Sequence, residues 1–327
     1  MKFTTEVPVS KPSFTISHTD LGLALGSCFT TYIGNRMHEL KFPILVNPLG
    51  TIYNPASIAQ SIDILVGTKQ ISQADLFLEQ EVWQSFFLHS QLSNIDSSAV
   101  IEQVNQIQHE FAHNKSKLSY VILSLGTSWV YTHNSSGTLV SNCHKQPSSN
   151  FTRSRLSVPE IVAYLHAAIK QLREATHNEL QIIFTLSPIR HTKDGAFGNN
   201  VSKAALLLAI DELLHIPNTW YFPAYEIVID ELRDYRYYAA DMIHPSETAI
   251  SYIFEKFSTG YFSRNTMEMC SLIESIQKAV KHRPFNAENA DFQNFIKQQI
   301  KTIDAIRLQY PHLNFESERK LLEQKIT

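Results

Sequence analysis

Short apolar runs in this chain end abruptly in a small or turn-forming residue, and most are followed by a helical pattern. "LGLAL" at 21–25 stops at Gly-Ser-Cys-Phe, and "FPILV" at 42–46 leads into "NPLGTIYNP". "YVILSLG" at 120–126 and "LQIIFTLSP" at 180–188 are apolar on both faces, as strands buried within a parallel sheet are. "TWYFPAYEIVID" at 219–230 reads as one more extended segment. Five strands alternating with helices argue for an α/β fold around a central, mainly parallel five-stranded sheet. In such sheets ligands bind at the carboxyl ends of the strands. The segments GSCF, NPLG, LGTSW and SPIRH all fall at those ends.

The helices carry their own start and stop signals. Phe29, Ile33, Met37 and Leu40 share one face of a helix after the first strand. Asn54 and Pro55 read as N-cap and first residue of a second helix with an apolar stripe at Ile58, Ile62 and Leu65, ended by Gly67. "SVPE" at 157–160 is a capping box opening a helix to about Leu172, and 200–214 reads as another helix. "HPSETAISYIFEKF" enters a helix through Pro245 and Ser246. The polar-amphipathic helical segments 265–281, 286–309 and 316–325 contain no strand pattern. We therefore expect an α/β domain over 1–263 and a helical C-terminal extension packed on it over 264–327.

Composition narrows the function classes. A hydrophobic content of 43% and a charged content of 18% fit a filled globular core rather than disorder. The net charge of −3, with no basic stripe, argues against a nucleic-acid ligand. Cys28, Cys143 and Cys270 make an odd set, unlike a disulfide framework. No apolar leader core and no membrane-length apolar stretch is visible, so the expectation is a cytoplasmic protein without membrane contact.

"HEFAH" at 109–113 matches the HExxH pattern of zinc proteases. The stripe of its helix is Val100, Val104, Ile107 and Phe111. At about 100° per residue both histidines point away from that stripe. No acidic residue lies between Glu110 and Glu160 to complete a ligand set. The reading is a solvated helix face, with no metal and no organic cofactor implied.

Two nucleophiles stand side by side in "ALGSCFTTYIG": Ser27 and Cys28. Cys28 would need a histidine base and an electropositive site. Ser27 fits better, because Gly26 permits a tight turn off the strand and the helix N-terminus offers free N–H groups to an oxyanion. A serine needs a base oriented by a carboxylate. "AADMIHPS" supplies one, with Asp241 and His244 three residues apart.

These blocks together resemble the GSCFA-domain proteins, placed by resemblance in the SGNH/GDSL hydrolase superfamily. The matching stretches include "LGSCFTTYIGNRM", "VNPLGTIYNPASI", "FFLHSQLS", "LSLGTSWVY", "NCHKQP", "TLSPIRHTKDG", "NNVSKAAL", "YFPAYEIVIDELRDYRYYAADMIHPSE" and "HRPFN". They span roughly residues 20–290. The resemblance implies a three-layer α/β/α sandwich, SGNH/flavodoxin-like, with Ser27, His244 and Asp241 as catalytic triad. It also implies oxyanion donors at the N–H groups of Ser27 and Gly50. Where the superfamily carries G-x-N-D this chain has "GTSW", so Ser128 or Asn142 would have to replace the asparagine. Losing one such donor typically costs ~10²–10³ in rate.

Arg190 and His191 in "SPIRH" are candidates for holding an anionic substrate group, since an arginine fork suits carboxylate or phosphate. The bland alternative is an ion pair with Asp194 or the acidic 226–234 segment. His89 and His144 are further rim candidates. The resulting expectation is a hydrolase acting on an ester bond, with an O-acyl or O-acetyl saccharide as substrate class by analogy. The alternatives are a non-catalytic glycan- or small-molecule-binding module and an O-acyltransferase using the same triad.

Overall fold

The computed structural model describes residues 4–286 and 288–326. Its centre is a sheet of five strands, all parallel: β1 (Leu21–Gly26), β2 (Ile44–Val46), β5 (Leu118–Leu125), β9 (Gln181–Leu186) and β10 (Thr219–Phe222). They lie side by side in the order β10-β9-β5-β1-β2. The chain thus starts in β1, steps to β2 on one side, then crosses to β5 on the other. The order reverses between β1 and β5, the place where open parallel sheets leave a crevice for ligands.

Alternation along each strand buries both faces. Leu23, Leu25, Val121, Leu123, Ile182 and Phe184 share a core with helices α2 (Pro55–Val66), α3 (Ser97–Asn114), α4 (Val158–Ala175) and α5 (Gly195–Leu213). Ala24, Tyr120, Ile122 and Ile183, the residues between, face a second core. That core is built with α1 (Cys28–Glu39) and with α7 (Glu247–Tyr261), which follows a single helical turn, α6 (Ala224–Glu226). The expected three layers result.

The punctuation acts as the sequence indicates. Asn54 accepts a hydrogen bond from the Ser57 amide at 2.9 Å, and Gly67 closes α2 at φ 86°. Ser157 and Glu160 form the reciprocal capping box of α4.

Three further helices, α8 (Arg264–Lys281), α9 (Ala290–Gln309) and α10 (Glu316–Glu323), extend the second core through Ile273, Ile296, Ile303 and Leu322. Ion pairs Arg36–Glu274 and Lys41–Glu318, both 2.5 Å, tie them to α1 and to the turn after it. Among the described residues no helix is long and apolar enough to cross a membrane.

Two expectations need correction. Residues 219–230 are not one extended segment: the strand stops at Phe222, Pro223 turns the chain, and a helical and then a π-helical turn run to Glu231. Pro223 has no N–H for a sheet ladder, which explains the break. Helix α5 begins at Gly195, ahead of the apolar pattern at 200. The sequence reading also missed a hairpin, β3 (Phe77–Glu79) with β4 (Val82–Gln84). A small antiparallel sheet joining β6 (Trp129–His133), β7 (Leu139–Val140) and β8 (Phe151–Arg155) was missed as well.

Candidate active site

At the β1–β5 crevice the chain turns from strand into helix within two residues. Gly26 sits at φ 142°, a conformation that disfavours any side chain, and a Cβ there would run into the Ser124 carbonyl. Its N–H donates to Asn47 Oδ1 at 2.8 Å, which fixes the turn against the end of β2.

Ser27 follows as N-cap of α1 in extended conformation, without a side-chain capping bond. It is only 2% exposed. Its N–H donates to the Ser124 carbonyl at 3.3 Å, and its hydroxyl pairs with the Ser124 hydroxyl at 3.1 Å. Cys28, the first residue of α1, is half-buried, and its Sγ lies 3.5 Å from the Tyr53 hydroxyl. Burial, and then the bond to Cys28, pushes the Tyr53 phenol up.

Asp241 and His244 meet. Asp241 Oδ1 accepts from the amides of Ile243 and His244, both at 2.9 Å, and its Oδ2 lies 2.6 Å from His244 Nδ1. Those two amides, His244 first, and the imidazole pull the carboxyl down to about 2. An ionised carboxylate can only accept, so Nδ1 carries the proton of this bond and Nε2 is the ring nitrogen turned away from the carboxylate.

The surrounding loop is tightly stitched. Ala239 N–H donates to the His244 carbonyl at 2.7 Å, and Ser246 caps α7 through the Ala249 amide at 3.3 Å. Met242, between the two site residues, is held at φ 59°. Left-handed backbone at a non-glycine residue is a strain that cross-linked loops can hold.

Among the described residues neither Ser27 nor Cys28 is hydrogen-bonded to His244. Tyr32 lies one turn along α1 from Cys28. Burial first, and then the ionisable groups of Cys28 and Asp241, push its phenol up. It lies within electrostatic reach of both.

The expected oxyanion donors are engaged elsewhere. The Gly50 N–H closes a turn onto the Asn47 carbonyl at 2.7 Å. Ser128 is fully buried, and both its N–H and its hydroxyl bond Ser202 Oγ of α5, at 2.8 and 3.0 Å. Asn142 donates to Ser90 Oγ at 3.2 Å and accepts from the His144 amide at 2.9 Å. With the Ser27 N–H directed at Ser124, the donors left are those of the first turn of α1. The amides of Cys28 and Phe29 have no intrahelical acceptor by helix geometry.

His144 bonds the Ser85 carbonyl at 2.7 Å and His89 accepts from the Gln91 amide at 3.3 Å, both with pKa lowered by burial. Both anchor the 85–90 loop locally. The His191 ring packs edge-on to Tyr53, with centroids 5.8 Å apart. Burial, and then the charge of Lys203, draws it down to about 4, so it is neutral near pH 7. Arg190 lines an open cleft beside Met242. In α3, His109, Glu110 and His113 are exposed. Among the described residues no group of three or more His, Cys, Asp or Glu is arranged to hold a metal ion.

Lys203 was missed. It is 2% exposed and donates to the carbonyls of Gly126 and Ser187, at 2.8 and 2.7 Å, tying the ends of β5 and β9 together. Burial, and then Arg190, pulls it down to about 7. Its signal was the spacing Asn199, Lys203, Leu206, Ile210, which puts it on the buried stripe of α5.

The GSCFA family model matches residues 23–257, most of the chain and all of the elements above through most of α7. The chain belongs to the GSCFA family. A second model, the C-terminal domain of GSCFA domain proteins, matches residues 273–327. Among solved structures, the chain is similar to a carbohydrate esterase family 3 protein from Talaromyces cellulolyticus. Identity is 10%, the TM-score is 0.37, and the match covers 78% of this chain and 98% of that one. No curated protein matches the sequence significantly.

Proposed function

We propose that this GSCFA protein hydrolyses an acyl ester at the β1–β5 crevice, with His244 as general base, Asp241 as its orienting carboxylate and Cys28 as nucleophile. The observation that carries the reading is the Asp241–His244 pair. Three hydrogen bonds within one loop fix the imidazole with Nε2 available. A base oriented in this way activates a neighbouring hydroxyl or thiol.

The choice of Cys28 over the expected Ser27 follows from access. A nucleophile must touch the acyl carbon, and the Ser27 hydroxyl is buried against Ser124. The thiol sits one residue on, at the first position of α1, and is only half-buried. In this mechanism the thiol proton passes to His244 as sulfur attacks the acyl carbon. The oxyanion is held by the amides of Cys28 and Phe29. The alcohol leaves with the proton from His244. Water, deprotonated by His244, then cleaves the thioester, releasing the acid and restoring the thiol. An O-acylated saccharide is the proposed substrate class, supported by the polar rim and the tyrosines at 235 and 238.

Hydrolysis of 4-nitrophenyl acetate by four variants tests the proposal. H244A and C28A are expected to lose ~10²–10⁴ in turnover, D241N somewhat less, and S27A only a few-fold. Loss in S27A with C28A active would move the nucleophile to the serine. Unchanged rates in H244A would remove His244 as the base, and no turnover above background in the unaltered chain would leave a binding module.

A further inference from the structure

Beside the Asp241–His244 loop lies a cleft of about 520 Å³, lined by Arg190, Arg233, Asp234, Tyr235, Tyr238 and Met242 among others; the Asp234 carboxylate there is taken by Arg236. We propose that this cleft is a subsite for an anionic group carried on the saccharide, gripped by the Arg190 guanidinium and flanked by the rings of Tyr235 and Tyr238. The assignment rests on the hydrolase reading for its place next to the reacting bond. It concerns a different set of residues.

The charge pattern carries the inference. The sequence offered Asp194 or the acidic 226–234 segment as partners for Arg190, and each of these acids is engaged elsewhere. Asp194 pairs with Arg153, whose guanidinium stacks on Trp129 at 4.1 Å. Asp230 takes Arg233 at 3.3 Å, and Asp234 takes Arg236 at 2.9 Å. Glu226 accepts from the Tyr221 hydroxyl at 2.8 Å, and Glu231 pairs with Lys256 at 3.2 Å. Among the described residues Arg190 has no hydrogen bond and no ion pair, although it is partly buried.

A partly exposed arginine fork with no protein partner is free to take a carboxylate or phosphate through two parallel N–H bonds. The Tyr235 and Tyr238 rings stand 6.1 Å apart, and Tyr235 is 77% exposed, so an apolar ring face is open beside the guanidinium. Met242, which lines the cleft, directly follows Asp241 in the chain and so sets the cleft beside the pair. A carboxylate and a phosphate would both satisfy the fork.

Saturation-transfer NMR on the full chain separates the possibilities without relying on turnover. The probes are glucose, glucuronate and glucose 6-phosphate. One or both anionic sugars are expected to give a signal at least fivefold above glucose, and which of them does so tells carboxylate from phosphate. R190A is expected to abolish that preference, and R190K to keep part of it, because a point charge lacks the fork. H244A is expected to bind as the unaltered chain does. If H244A instead removes turnover while no anionic sugar binds, the subsite falls and the hydrolase reading stands. Equal signals from glucose and the anions, or anion binding unaffected in both R190A and R190K, would also overturn it.

Discussion

Strands β1 and β5 lie side by side, and each runs out at a glycine followed by a hydroxyl residue, Gly26-Ser27 and Gly126-Thr127, yet the two ends are chemically different. After β5, both hydroxyls of Thr127 and Ser128 turn onto Ser202 of α5, at 3.1 and 3.0 Å. The Gly126 carbonyl receives Lys203, and the amides of Gly126 and Thr127 donate to the Tyr53 carbonyl at 2.8 and 2.9 Å. The hydroxyls and amides named here are all answered from neighbouring elements. After β1, the chain enters α1 at once. Ser27 is answered by Ser124, but the next residue is already helical, its amide is without an intrahelical acceptor, and its half-buried thiol meets, among the described residues, only the Tyr53 hydroxyl. In the proposed mechanism the β1 end is the reactive one, because a helix begins there immediately and no adjacent helix supplies polar partners. Where such partners exist, the same composition becomes structure.

The contrast can be broken from either side. The largest effect is expected at the open end. Ala in place of Gly26 would have to hold φ 142° and displace the Ser124 carbonyl. Denaturant unfolding of G26A should show a loss of at least about 3 kcal/mol, or no folded protein. A wild-type midpoint would mean that the turn relaxes without cost.

A smaller effect is expected at the closed end. Removing the Ser202 hydroxyl strands the hydroxyls of Thr127 and Ser128 and the Ser128 N–H. S202A should lose about 1–3 kcal/mol of stability while ester turnover stays within twofold. A large fall in turnover at unchanged stability would make the β5 end part of the reaction and erase the distinction.

Much of this was legible in the sequence, and the residues say why. The sheet was legible because Val121, Leu123, Ile182 and Phe184 alternate with Tyr120, Ile122 and Ile183, filling two cores at once. The caps Asn54 and Ser157 were legible because capping is a local bond. The Asp241–His244 pair was legible for the same reason, being three residues apart in one loop.

What depended on long-range partners was not legible. Ser27 and Ser124 are 97 positions apart, and Ser128 and Ser202 are 74 apart, so no local pattern says that these hydroxyls satisfy each other. The same holds for Arg190, whose acidic neighbours in sequence are all held by other partners. The break at Pro223 was visible in the residue itself, but the apolar run around it masked the turn.

The most direct test is to alkylate the folded protein with iodoacetamide, map the modified peptides by mass spectrometry and follow ester turnover in the same samples. Cys28 should react faster than Cys143 and the buried Cys270, turnover should fall in step with its modification, and H244A should slow the alkylation about tenfold. Full modification of Cys28 with turnover intact, or loss of turnover traced to fluorophosphonate on Ser27 while Cys28 is free, would contradict the assignment of the nucleophile to the open end of β1.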